Sequence, residues 1–164
     1  PIRSRTIDSP IGPLTLAGDT VLTHLRMDAQ THPPSGQSAW SRDDTAFPEV
    51  VEQLDAYFDG TLDEFDVELD LRGSDFHVRV WQALRDIPYA ETWSYGELAD
   101  HIGAPGAARA VGAANGRNPI AIIVPCHRVI GASGALTGYG GGLDRKRFLL
   151  ELEAGARTPR LDFA

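Results

Sequence analysis

The run Ile-Ile-Val-Pro-Cys-His-Arg-Val at 122–129 sets the chain's one cysteine, Cys126, directly before His127 and Arg128. Thiolate is the reactive form of cysteine, and it is favoured by an imidazole that takes the proton and a guanidinium that steadies the anion. The apolar residues before Cys126 read as a rigid buried strand, and a histidine and an arginine are expensive to bury after it unless they are used. Neighbours on an extended backbone point apart, so Cys126 and His127 would communicate through a water more easily than by contact. A Cys-His pair also needs an orienting acid. Glu151 and Glu153 are the acids nearby downstream, and alternate helical positions let one turn inward while the other stays wet. On residue types alone, Cys126 is a buried spectator, a reactive thiol or an intermolecular link, and a cysteine hydrolase with an oxyanion hole is one class to weigh.

A single cysteine excludes an intramolecular disulfide and any cysteine-rich metal cluster. At 164 residues, 42% hydrophobic and 23% charged, the chain suits one compact domain or two small ones sharing an interface. Its opening residues are too polar and proline-broken for a signal peptide, and no apolar run approaches a membrane span, so a cytoplasmic location with no membrane partner is expected. The net charge of -8 is uneven. Residues 1–74 carry five Lys/Arg against fourteen Asp/Glu, whereas within 101–149 Arg109, Arg117, Arg128, Arg145, Lys146 and Arg147 face Asp144 alone. An anionic partner meets that local potential, not the average.

Several elements would have to position these groups. Short strands are expected over 13–18, 21–27 and 65–71, the last alternating apolar with acidic residues. Between them Phe47, Val50, Val51, Leu54, Tyr57 and Phe58 share a helical face, and 31–44 reads as a polar loop. Gly73-Ser74 marks the domain joint, dividing the chain into 1–73 and 74–164. Ser74 or Asp75 can cap a helix burying Phe76, Val80, Trp81 and Leu84. Ser94-Tyr95-Gly96-Glu97 has capping-box spacing and opens a helix to about His101, stopped by Gly103. Another helix from Gly106 or Ala107 to Asn115 completes helix-turn-helix spacing, an arrangement that simple packing of two buried helices would also produce. A last helix carries Leu143, Leu149, Leu150 and Leu152. Arg145, Lys146 and Arg147 at its start oppose the helix dipole, from which either an anionic partner or ordinary screening follows.

The segments 118–153 and 92–115 resemble the active-site region and the helix-turn-helix of the O6-alkylguanine-DNA alkyltransferases. The resemblance rests on Pro-Cys-His-Arg-Val followed by Gly-Tyr-Gly-Gly-Gly-Leu. It is dense over 75–153, and over 1–74 it extends only to a small ribonuclease-H-like sheet-and-helix layout. It implies an α+β protein with a mainly helical second domain. In that family's terms Cys126 would accept the alkyl group, His127 would act as base through a water, and Glu153, preferred to Glu151, would orient His127. Tyr95 would meet a ring nitrogen of the flipped guanine, Arg109 would enter the base stack, and Asn118 would tie the helix-turn-helix to the active-site segment. Tyr139 would wall the alkyl group, with Pro125, Arg128, Val129 and Gly140 supporting the pocket. The small residues Ala107, Ala108, Ala110, Val111 and Ala114 would let the helix enter a minor groove.

Duplex DNA carrying O6-alkylguanine is therefore the expected partner. The resemblance implies a single-turnover, suicidal methyltransferase of DNA repair without a cofactor, monomeric in solution, with cooperative clustering on DNA left open. Some relatives hold a structural zinc through cysteines in the first domain. No cysteine lies in 1–74 here, so no metal is expected, and His24 and His32 read as ordinary histidines. Some relatives carry serine where this chain has Gly140, which implies a wider pocket. The alternatives are a cysteine hydrolase and a non-catalytic helix-turn-helix protein.

Overall fold

Leu14, Leu16, Leu25 and Met27 alternate with more polar neighbours along two short segments and close the first sheet against a single helix. The computed structural model describes residues 1–155. Strands β1 (Arg3–Ile7), β2 (Leu14–Gly18), β3 (Leu22–Met27) and β4 (Ser41–Arg42) form a sheet in the order β3-β2-β1-β4. Pairing is antiparallel except between β1 and β4. Helix α1 (Pro48–Phe58) buries Val50, Leu54 and Tyr57, with a proline in its first turn where the missing N–H has no role.

Four expectations change here. The 31–44 stretch read as a loop holds a 3-10 turn at Gln37–Ala39 and strand β4. Strand β1, which has no apolar alternation, is present. The 65–71 segment is not a strand, although Leu69 bridges Leu22 and Asp70 N–H donates to the Leu22 carbonyl. The Ile-Ile-Val segment is buried but turned, with Ile122 at a φ of 70°. A β-branched residue there is strained by about 1–3 kcal/mol. A shared edge accounts for the first of these two losses: β3 gives Leu22 to 69–70 and Leu25 to Pro119–Ala121, so neither neighbour extends.

The second part is helical. Helix α2 (Asp75–Leu84) starts at Ser74, whose Oγ accepts from His77 N–H, and buries Val80, Trp81 and Leu84. Strand β5 (Trp93–Ser94) runs into α3 (Tyr95–His101), and α4 (Ala108–Gly116) follows a turn with Gly103 at a φ of 73°. The Ser94 cap is complete: Glu97 N–H donates to Ser94 Oγ at 3.1 Å and Ser94 N–H to Glu97 Oε1 at 2.8 Å. Ser94→Ala is expected to cost about 1 kcal/mol, a fall of about 3 °C in thermal midpoint readable by calorimetry.

A 3-10 turn, Cys126–Arg128, leads into β6 (Val129–Ile130), which pairs in parallel with β5. Helix α5 (Leu143–Glu153) ends the described chain. It buries Leu149 and Leu152, whereas Leu143, expected among its apolar contacts, is exposed.

Candidate active site

The β5–β6 pairing sets the site's frame. Trp93 lies opposite Val129 and Ser94 opposite Ile130, so Tyr95, the next residue, starts its helix beside the segment that carries Cys126. Asparagine side chains brace that segment. Asn118 Nδ2 donates to the Val124 carbonyl at 2.8 Å, its Oδ1 accepts from Ile120 N–H at 3.0 Å, and Asn115 Nδ2 donates to the Cys126 carbonyl at 3.4 Å. Sequence reasoning singled out Asn118 and missed Asn115.

His127 is fully buried, with Nε2 2.6 Å from Glu153 Oε2. Arg128 donates from Nε to Glu153 Oε1 at 2.8 Å, from Nη2 to Oε2 at 3.1 Å and from Nη1 to the Ile87 carbonyl at 2.8 Å. Tyr57 hydroxyl donates to Oε2 at 2.6 Å. Burial alone would raise the Glu153 pKa, but His127 and Arg128 hold it below the ordinary carboxylate range. Burial lowers the His127 pKa against the pull of Glu153. A neutral imidazole donating Nε2–H to an ionised carboxylate fits both directions, and the permanent charge of Arg128 is then the durable cause of the Glu153 shift. His127 Nδ1 carries the remaining lone pair and has no partner among the described residues.

Cys126 is 5% exposed. Burial pushes its thiol pKa up, although Asn118, Lys146 and Tyr139 act the other way. The resting sulfur is therefore a thiol that needs a base. Among the described residues no hydrogen bond joins Cys126 to His127. Arg128 does not steady the sulfur, as its type and position suggested; Glu153 holds it instead. The cation whose charge acts on Cys126 is Lys146, brought down to about 8 by burial, with Nζ donating to the Val129 and Thr137 carbonyls at 2.5 and 2.8 Å.

Tyr95 hydroxyl lies 3.1 Å from Thr137 Oγ1, so α3 and the 131–141 loop meet over the site. Tyr139 buries its hydroxyl, which faces the Cys126 sulfur without a hydrogen bond of ordinary geometry. Gly141 is needed for close approach: a Cβ there would stand 2.3 Å from Met27 Sδ and 3.0 Å from the Tyr139 ring. At Gly140 the corresponding Cβ would meet Thr31 Oγ1 at 3.1 Å and Gln30, so the absent side chain serves contact with the turn that follows β3, not a wider pocket.

Helix α4 exposes Arg109 and Ala110, with Ala107 and Ala108 half-buried. Val111 and Ala114 are fully buried and cannot form a contact face. They fall with Asn115 on the side turned to the protein, because positions three and four apart share a face. The positive region is also thinner than its composition. Arg145 donates to the Ile11 and Asp28 carbonyls, Arg128 and Lys146 are buried, and Arg147, although exposed, pairs with Asp144, which leaves Arg109 and Arg117 as that region's exposed cations outside an ion pair among the described residues. Pro125 and Val129 are buried walls of the turn. A concavity of about 450 Å³ lined by Asp63, Arg85, Tyr89, Pro125 and Arg128 opens behind the relay and does not reach Cys126.

Fold and site define a helix-turn-helix protein built round one buried thiol and a His-Glu relay. Residues 75–155 match the family described as 6-O-methylguanine DNA methyltransferase, DNA binding domain, and residues 2–71 its ribonuclease-like domain. A methylated-DNA–protein-cysteine methyltransferase of Mycobacterium tuberculosis is 72% identical over 96% of this chain and 95% of its own length. One from Methanosarcina acetivorans is 54% identical over 89% and 94%. The crystal structure of Mycobacterium tuberculosis OGT in complex with DNA superposes with a TM-score of 0.92 at 70% identity, covering 95% of each chain. The chain belongs to the methylated-DNA–protein-cysteine methyltransferases, enzymes of DNA alkylation repair that transfer an alkyl group to cysteine.

Proposed function

We propose that this chain draws O6-alkylguanine, mainly O6-methylguanine, from duplex DNA and transfers the alkyl group irreversibly to Cys126, once per molecule. One observation carries the reading: the chain's only cysteine sits next to a buried His127 whose far nitrogen is held by Glu153. His127 Nδ1 takes the Cys126 proton through a water. The sulfur attacks the alkyl carbon in line, the C–S bond forms as the C–O6 bond breaks, and the electron pair returns to the purine. The thiol's proton balances the one the purine gains, with Tyr95 hydroxyl as the donor at the ring once it exchanges Thr137 for the base. A thioether offers water no leaving group that it can displace, so the alkyl group stays on the sulfur and the protein is consumed.

Rotating the base out costs a few kcal/mol, less for a weakened pair. Arg109 fills the vacated space while the short side chains at 107, 108 and 110 allow α4 into the minor groove. Arg109 and Arg117 supply charge for phosphates. We take the acting form to be a cytoplasmic monomer.

The test is intact mass after incubation with duplex DNA carrying one O6-methylguanine. A gain of one methyl group on Cys126, saturating at one per chain, supports the reading. Turnover beyond the protein present would indicate a hydrolase, and no gain a binding protein without transfer. Arg109→Ala is expected to slow repair of duplex DNA roughly tenfold, the equivalent of about 1.4 kcal/mol of lost flipping assistance, while reaction with free alkylguanine base stays near normal. Single-turnover rates on the two substrates check it, and equal losses would remove Arg109 from that role.

A further inference from the structure

The His127–Glu153 pair lies at a junction of both halves of the chain. Glu153 and His127 belong to the second half, but one of the two shortest bonds to the carboxylate comes from Tyr57 on α1 of the first. Tyr57 is fully buried, 96 positions away in sequence, and its hydroxyl shares Oε2 with His127 Nε2, each at 2.6 Å. Its ring packs among Phe58, Phe65 and Tyr89, which fixes where the hydroxyl oxygen stands. Apolar packing alone would be served by phenylalanine. A buried hydroxyl aimed at a carboxylate oxygen already shared with the proposed base's partner is a tuned contact.

We propose that Tyr57 is a positioning residue for alkyl transfer, using a neutral hydrogen bond from the first half to set how strongly Glu153 holds the His127 proton. This rests on the reading that His127 takes the Cys126 proton. Arg128 neutralises the charge of Glu153, and Tyr57 withdraws electron density from Oε2 without adding charge. Burial, followed by the Glu153 charge, raises the hydroxyl's pKa well above its usual value, so it stays a donor. The groups facing His127 are Glu153 and Lys146 from α5, Arg128 and Cys126 from the 3-10 turn, and Tyr57 through Glu153, with Tyr89 beside Arg128. Removing one neutral donor leaves Oε2 more basic. The imidazolium is then favoured and the neutral base is lost at higher pH.

The experiment measures the single-turnover rate of alkyl transfer to Cys126 against pH, with an O6-alkylguanine base as substrate, for three forms of the full chain. In Tyr57→Phe the rate at neutral pH falls about tenfold, the order of one hydrogen bond to a charged group. Its acidic limb moves to higher pH. With 3-fluorotyrosine incorporated at position 57, a stronger donor with the same ring, the limb moves to lower pH. If Tyr57→Phe is too unstable to assay, the fluorinated chain decides alone. Limbs unchanged in both, with the wild type transferring normally, overturn the role of Tyr57. A wild type that places no alkyl group on Cys126 overturns the underlying reading instead.

Discussion

Cys126→Ser abolishes alkyl transfer while duplex binding persists. A serine hydroxyl stays protonated at a pH where a thiol can be activated, so exchanging sulfur for oxygen removes the nucleophile with little change of volume. Cys126 makes its packing contacts from a 3-10 turn, and the exposed α4 residues Arg109 and Ala110 lie on a separate element. Binding and chemistry therefore separate. Intact mass after incubation with O6-methylguanine duplex should show no added methyl group, and a gel-shift titration should match the wild type. A methyl group appearing elsewhere on the variant would end the assignment of Cys126.

Glu153→Ala has the largest structural effect. Arg128 is buried against this carboxylate, and removing one partner of a buried pair leaves an uncompensated charge, a loss of about 3–5 kcal/mol. Tyr57 and His127 lose their acceptor in the same step. Transfer is expected to fall at least about 100-fold, since His127 is left with neither tautomer nor orientation fixed. The pH dependence has a definite sign. The folded pKa of Glu153 is depressed, so its stabilisation is complete above the ordinary value of 4.5 and is lost as pH falls below it toward the folded value. Urea midpoints at pH 7 and pH 3 should show the gap between wild type and Glu153→Ala narrowing at the lower pH. A constant gap would mean that the carboxylate's ionisation does not matter.

Internal partners explain why an acid-poor stretch keeps Arg145, Lys146 and Arg147. Their charges read as an offer to an anion, but Arg145 and Lys146 hold carbonyls around the site and Arg147 is paired with Asp144. What remains for DNA is a smaller set, centred on α4.

Much of the helical half was legible. The Ser94 capping box and the Gly103 turn follow from side chains within one or two turns of each other, while local spacing left Glu151 and Glu153 open and the family resemblance chose Glu153. Strands β2 and β3 were visible because one face of each is apolar. The 65–71 alternation misled, since a strand needs an edge to pair with along its length and β3 divides its own between two segments. Val111 and Ala114 misled for another reason: alanine and valine suit a groove and a core equally, and only packing decides which face meets which.

By itself the sequence determined the thiol, its adjacent histidine and the capped starts of α2 and α3, because these depend on neighbours along the chain, whereas the choice of Glu153 over Glu151 came from the family resemblance. Tertiary structure decided the donors that surround Glu153, the turn that replaces a strand before Cys126, and which cations remain exposed. Those depend on contacts such as Tyr57 with Glu153, where residues far apart in the chain share one buried carboxylate, and no local pattern of residue types specifies such a meeting.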